Sequence, residues 1–159
     1  MNNQEILHKF YTAFAAGDAD AMASCYHENI IFQDPVFGRL CGEDAKNMWR
    51  MLLERIKGNL KITFTNIQSD ENTGSANWVA VYPFSLTGRT VTNKIKASFT
   101  FIDGKIATHT DTFDLWGWCR QAFGWKGVLL GWTPMMQSRL KQQSQQLLTH
   151  YTNKQKEAK

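Results

Sequence analysis

A chain of 159 residues that is 43% hydrophobic and 20% charged has the make-up of a single folded domain and excludes a disordered protein. Its longest purely aliphatic stretch is Val128, Leu129 and Leu130, far short of the roughly 20 apolar residues that a spanning helix needs. The net charge of +4 is unevenly spread: residues 1–114 carry 11 Lys and Arg against 13 Asp and Glu, whereas residues 115–159 carry 7 against Glu157 alone, together with four of the six tryptophans. The chain therefore divides into a balanced body, residues 1–114, and a basic, Trp-rich C-terminal extension of the same domain, residues 115–159. Three scattered cysteines, Cys25, Cys41 and Cys119, are too few for a disulfide framework or a Cys-type zinc site. Reduced thiols and a start without basic and apolar signal regions make a cytoplasmic protein the expectation.

In chain order, Asn2 with Glu5 three residues on predicts a capped helix start, and Gly17 its stop. Ile6, Phe10 and Phe14 with Leu7 and Ala13 give that helix one apolar face. Asp18 caps a short second helix carrying Met22 and Cys25. Ile30, Ile31 and Phe32 form a short strand running into Asp34, which Pro35 holds extended. Ala45, Met48, Trp49, Leu52, Leu53 and Ile56 trace a third helix that Gly58 ends. The period then becomes two. Leu60, Ile62 and Phe64, then Trp78, Ala80, Tyr82 and Phe84, then Ile95, Ala97, Phe99 and Phe101 mark three strand faces, and residues 106–113 a fourth strand. Short breakers between them predict an antiparallel meander. Helices followed by a sheet give an α+β fold. Beyond Phe113 the pattern is irregular and aromatic until Thr133 and Pro134 start a mostly polar helix, with Met136, Leu140, Leu147 and Tyr151 as a thin apolar stripe and a frayed tip from Asn153.

The stretch from Ala15 to Gly42 includes Gly17-Asp18, Cys25-Tyr26-His27-Glu28-Asn29, Ile30-Ile31-Phe32-Gln33-Asp34-Pro35 and a glycine before a helix. With the helices and meander around it, this resembles the nuclear transport factor two-like superfamily, in its SnoaL-like and ketosteroid-isomerase-like branch. The resemblance implies a cone over about residues 5–114: a strongly curved antiparallel sheet wrapped around N-terminal helices, with an apolar pocket at the wide end. It implies that Asp34 stands where ketosteroid isomerases hold their proton-abstracting carboxylate. It also implies that Trp49, Tyr82, Phe84, Phe99 and Phe113 line the pocket, to which the alternation adds the inward-facing Trp78, and that the protein is a homodimer. Two departures matter. Phe10 stands where the isomerases have an oxyanion-binding Tyr, with Tyr11 one position off, and Ala97 where they have an oxyanion-binding Asp. Steroid isomerisation is therefore not expected.

Asp34 beside an apolar pocket would have its charged form disfavoured and act as a base near neutral pH; as part of Asp-Pro it would equally serve as a turn former. His109 and Asp111 are two apart in a strand and share a face with Phe113. Turned inward they are acid–base candidates; turned outward, against Thr108, Thr110 and Thr112, they are a solvated pair. No third residue at a telling spacing makes His109 and Asp111 a metal site. The expected function is binding of a small hydrophobic molecule, with acid–base chemistry of the isomerase, cyclase or hydratase type that needs no cofactor. The alternative is a non-catalytic ligand-binding or protein-interaction module of the same fold. The Trp-rich segment reads most simply as packing of the last helix onto the body, with a lid, a dimer contact and, last, a membrane-surface patch as the other readings. No nucleic-acid-binding motif is present.

Overall fold

The N-terminal helix begins where two side chains close its first turn. In the computed structural model, which describes residues 1–159, Asn2 accepts from the Glu5 N–H at 2.9 Å and Glu5 accepts from the Asn2 N–H at 2.8 Å. This reciprocal pair satisfies two of the donors a helix start leaves free. The first helix, α1 (Asn3–Ala15), ends as Gly17 takes a φ of +74°, a conformation glycine adopts without steric cost. Asp18 caps α2 (Ala19–Ser24) through the Ala21 N–H at 2.9 Å. There follow β1 (Tyr26–Asp34), β2 (Gly38–Cys41), α3 (Glu43–Ile56), β3 (Lys61–Ser69), β4 (Thr73–Pro83), β5 (Thr90–Ile102) and β6 (Lys105–Thr112). The extension forms α4 (Leu115–Phe123), α5 (Trp125–Leu130) and α6 (Pro134–Glu157).

The six strands make one open sheet in the order β2-β1-β6-β5-β4-β3. β3 to β6 are the antiparallel meander that the period-two pattern predicts. To it the structure adds a parallel pair, β1 beside β6, with Phe32 opposite His109, and the hairpin strand β2. Neither had a periodicity signal: β2 is four residues long, and the β1–β6 pairing joins opposite ends of the cone domain. Register shifts in the β1–β6, β3–β4 and β5–β6 ladders bend the strands and help the sheet curve. Its concave face wraps the apolar sides of α1 and α3, and Phe10, Tyr11, Phe14, Met48 and Trp49 share one core with Ile62, Trp78, Ile95 and Phe99. Small residues at Ala76, Ala80 and Ala97, all buried, leave room for those rings. This is the α+β cone.

The extension closes the cone from the side of β5. A second, smaller core of Val91, Trp118, Cys119, Ala122 and Leu140 meets the first through Val36, Tyr82 and Phe113. Thr133 caps α6, with Pro134 in its first turn. The helix stays regular to Glu157, past the expected fraying point at Asn153. Its inward stripe is Leu140, Leu148 and Thr152, and Leu147 is exposed. Gln145 ties it to the body by donating to the Phe37 carbonyl at 2.9 Å.

Among the tryptophans of the aromatic segment, packing onto the body holds for Trp118 alone; Trp116, Trp125 and Trp132 are exposed. The reason is glycine. A Cβ on Gly127 would lie 2.0 Å from the Cys119 carbonyl oxygen, so α5 approaches α4 backbone to backbone and its large side chains turn outward. No helix is long and apolar enough to cross a membrane.

Trp118→Ala removes a ring packed on Phe84 at 5.2 Å and a 2.7 Å hydrogen bond to Tyr82. Urea denaturation is expected to show a loss of about 3–5 kcal/mol. Truncation after Asp114 uncovers Tyr82, Val91 and Phe113 together and is expected to give an insoluble or strongly destabilised protein.

Candidate functional site

The alternation of β6 sends Ala107, His109 and Asp111 inward and turns Thr108, Thr110 and Thr112 away. The inner face is thus the polar pair's face. His109 is 0% exposed. Its ring is surrounded by Phe10, Tyr26, Phe32, Trp49 and Phe99, with ring centroids 4.5 to 6.1 Å away. A buried imidazole needs a partner at each nitrogen, and both are present. Nδ1 lies 2.7 Å from the Tyr26 hydroxyl, and Nε2 lies 2.9 Å from Asp111 Oδ1.

The direction of these bonds follows from what each group can give. Trp49 Nε1–H donates to the Tyr26 oxygen at 2.8 Å, and Trp78 Nε1–H donates to Asp111 Oδ1 at 3.2 Å. A carboxylate only accepts, so His109 carries its proton on Nε2 and donates it to Asp111. In the neutral imidazole Nδ1 is then the acceptor for the Tyr26 O–H. The network runs Trp49 to Tyr26 to His109 to Asp111, and every shared proton has one donor and one acceptor. Tyr26 is the residue the sequence reading missed. Its only signal was an aromatic at the start of β1, and nothing local shows that this strand lies beside β6.

Asp34 sits half-buried at the other end of β1. Its Oδ1 accepts from the Val36 and Phe37 N–H groups at 2.9 and 2.5 Å, closing the turn into β2. It is therefore a turn former. Burial nevertheless pushes its carboxyl up to about 6; the two backbone bonds oppose this, the Asp111 charge adds to it, and His109 opposes it. Tyr82 also feels the Asp34 charge: burial raises its phenol first, and Asp34 raises it further. The three polar residues singled out in the sequence thus lie within electrostatic reach of one another.

The outer oxygens decide what the site can touch. Oδ2 of Asp34 and Oδ2 of Asp111 make no hydrogen bond in the protein, and the only sealed-off side-chain polar atoms without partners are Tyr11 Oη and Thr152 Oγ1. Asp34 is half-buried, and Asp111 is only 3% exposed. Tyr11, 0% exposed and stacked on Phe64 at 5.5 Å, has its phenol raised by burial and then by the Asp111 charge.

The apolar candidates separate into two groups. Trp49, Trp78 and Phe99 are buried within the ring cluster around His109. Phe84 packs with Trp118 and Phe123, while Tyr82 and Phe113 lie where the two cores meet. Two cavities lie elsewhere: a cleft along β5 and α4, and an apolar hollow of about 340 Å³ between the ends of α1 and α3. Neither is lined by Asp34, His109 or Asp111. No three His, Cys, Asp or Glu side chains converge as metal ligands.

Residues 7–109, from the first helix to His109 itself, match the family model of the SnoaL-like domain. The chain belongs to the SnoaL-like family. Among solved structures, it is similar to a provisionally assigned polyketide cyclase from Xanthomonas campestris pv. campestris, with 23% identity over 76% of this chain and 96% of that one and a TM-score of 0.61. An LEH-like epoxide hydrolase of M. tuberculosis shares 20% identity over 81% of this chain and 90% of that one, with a TM-score of 0.56. SalBIII, an epoxide hydrolase/cyclase-like enzyme with a role in pyran ring formation in the polyether salinomycin, shares 19% over 71% and 91%, with a TM-score of 0.62. At these identities the likeness shows the fold. No curated protein sequence matches the chain. This SnoaL-like domain ends, in the family model, before the Trp-rich extension begins.

Tyr26→Phe leaves the Trp49 N–H and His109 Nδ1 buried without partners. The expected cost is about 1–3 kcal/mol by urea denaturation, with the His109 nitrogen resonances shifting as Nδ1 loses its donor.

Proposed function

We propose that this SnoaL-like protein binds a small hydrophobic molecule carrying a carbonyl or epoxide oxygen at the Asp34–Asp111 end of the cone, and catalyses proton transfer on it. The observation that carries this reading is Asp34: a half-buried carboxylate at a strand end, raised to about 6, with one oxygen tied to the turn and the other free. That free Oδ2 would take a proton from carbon or from an attacking water. The carboxylic acid so formed would return it to another atom of the same substrate, so that the protein ends unchanged and no cofactor is required. Asp111 would supply the second carboxylate. His109, whose Nε2–H is committed to Asp111 and whose ring is enclosed, would act through it as a positioning residue. The solved cyclase-like and epoxide-hydrolase-like neighbours support acid–base chemistry of this general kind by analogy of fold.

The dense packing of Trp49, Trp78 and Phe99 favours a second reading, in which those rings are core and the cone is a binding module without turnover.

Asp34→Asn separates the two. It keeps an oxygen for the Val36 and Phe37 N–H groups but cannot accept a proton. In an enzyme it is expected to lower turnover by about 100-fold or more with affinity nearly unchanged; in a binder, a screen of hydrophobic carbonyl compounds and epoxides gives binding and no product in either form. Turnover of the parent is expected to rise as the pH climbs through about 6, where Asp34 becomes the base. Stability runs the other way. The folded value lies above the ordinary 3.8, so the contribution of Asp34 is full below pH 3.8 and is lost as the pH rises through about 6. Thermal melts at pH 8 are expected to show Asp34→Asn more stable than the parent by roughly 1 kcal/mol, with the gap closing toward pH 4.

A further inference from the structure

The extension carries a surface that the cone does not use. On α5 and the entry to α6, Trp125 is 69% exposed, Trp132 62% and Met135 70%, with Val128, Leu129 and Leu130 beside them also exposed. The outward turn is built in. The face of α5 that meets α4 is Gly127, and Gly131 follows it, where a Cβ would lie 2.5 Å from the Gly127 carbonyl and 2.6 Å from Cys119 Cβ. Backbone contact holds the segment, and its large apolar groups are left without a partner. Scattered exposed apolar residues need no explanation, but a contiguous group of this size does.

The charges beside the patch say what it fits. Arg120 lies over the Trp116 ring at 4.3 Å, and Lys126 lies over Trp125 at 5.8 Å. Trp116 reaches α5 through a 3.4 Å bond to the Val128 carbonyl. Next to it, an open cleft of about 470 Å³ is lined by Arg89, Asn93, Lys94, Asp114, Arg120 and Gln121: three cations against one carboxylate, with Asp114 already 3.7 Å from Arg120. Arg89 packs on Gly124 at the start of α5, so cleft and patch are continuous. From residue 115 to residue 156 there is no Asp or Glu. A two-fold contact between copies through this face would set Arg120 and Lys126 against their like, with no acid in the segment to pair them. Tryptophans with flanking cations on a short outward helix match an anionic lipid interface, where the rings lie at headgroup depth and the cations meet lipid phosphates.

We propose that α5 and the start of α6 dock this protein on the surface of an anionic bilayer, with apolar side chains in the interface and the adjoining basic cleft on lipid headgroups. The attachment is peripheral, and it does not depend on whether the cone is catalytic.

Sedimentation of the full chain with phosphatidylcholine vesicles, with and without phosphatidylglycerol, tests this. The expected result is binding to the phosphatidylglycerol vesicles only, weakening as salt rises. The double variant Trp125→Ser with Leu129→Ser alters exposed positions, so its melting temperature should match the parent's while vesicle binding is lost. Lys126→Gln should weaken binding about fivefold, and tryptophan emission of the parent should shift to the blue on the vesicles. Absence of binding to anionic vesicles overturns the proposal, as does binding that the double variant leaves intact. A parent dimer that the double variant converts to monomer, with vesicles ignored, overturns it in favour of a second copy. Retention on immobilised polyglutamate with vesicles ignored overturns it in favour of an acidic polypeptide.

Discussion

A histidine enclosed by five aromatic rings must find both of its hydrogen-bond partners inside the protein, because no water reaches it and an unpaired nitrogen there costs more than most single contacts return. That requirement organises the interior. Tyr26 and Asp111 answer the two nitrogens of His109, and each is in turn fixed by an indole, Trp49 or Trp78. Four elements, α3, β1, β4 and β6, are thereby held in one relative position by directional bonds as well as by apolar packing. A core of aliphatic side chains alone would tolerate small slips between them. This one does not, since a slip breaks a bond that nothing else can replace. The outcome is that Asp111 is held in one orientation, its Oδ1 committed to both His109 and Trp78.

Most of the scaffold was legible because its signals are local. Asn2 with Glu5, Asp18, Thr133 with Pro134 and the apolar spacing of α3 each state a helix boundary or face within a few residues. The alternation in β3, β4 and β5 states the sheet in the same way. What escaped was set by pairing at a distance. The parallel contact of β1 with β6 leaves no mark in either strand, and Tyr26 owes its place to it. The inward turn of His109 and Asp111 was hidden for another reason: polar residues occupy both faces of β6, so hydropathy cannot orient the strand. Asp34 was found by resemblance, and its two backbone bonds show that turn former and raised carboxyl are compatible descriptions of one residue. The exposure of Trp125 and Trp132 ran against composition, because tryptophans are usually read as anchors. The glycines at 127 and 131 carried the opposite message, and only the geometry shows what they pack against.

Cone and extension are joined by shared side chains. Val36, Tyr82 and Phe113 belong to the contact surfaces of both cores. Val36 lies in the turn that Asp34 closes, and Tyr82 takes a hydrogen bond from Trp118 while feeling the Asp34 charge. The extension is thus coupled to the candidate site through two residues next to it.

The β1–β6 pairing also has a temporal side. Tyr26 and Asp34 leave the ribosome early, and His109 and Asp111 only after the whole meander has been made. Local helices and the β3–β6 hairpins need no partner from elsewhere, whereas β1 must wait for a strand that arrives after α3 and four other strands, and closing so long a loop is slow. Nascent chains therefore hold an unmatched β1 edge for much of their synthesis. Until β6 docks beside β1, the Tyr26 hydroxyl and His109 Nδ1 lack each other as partners, and Asp34 and Asp111 stand on strands not yet joined.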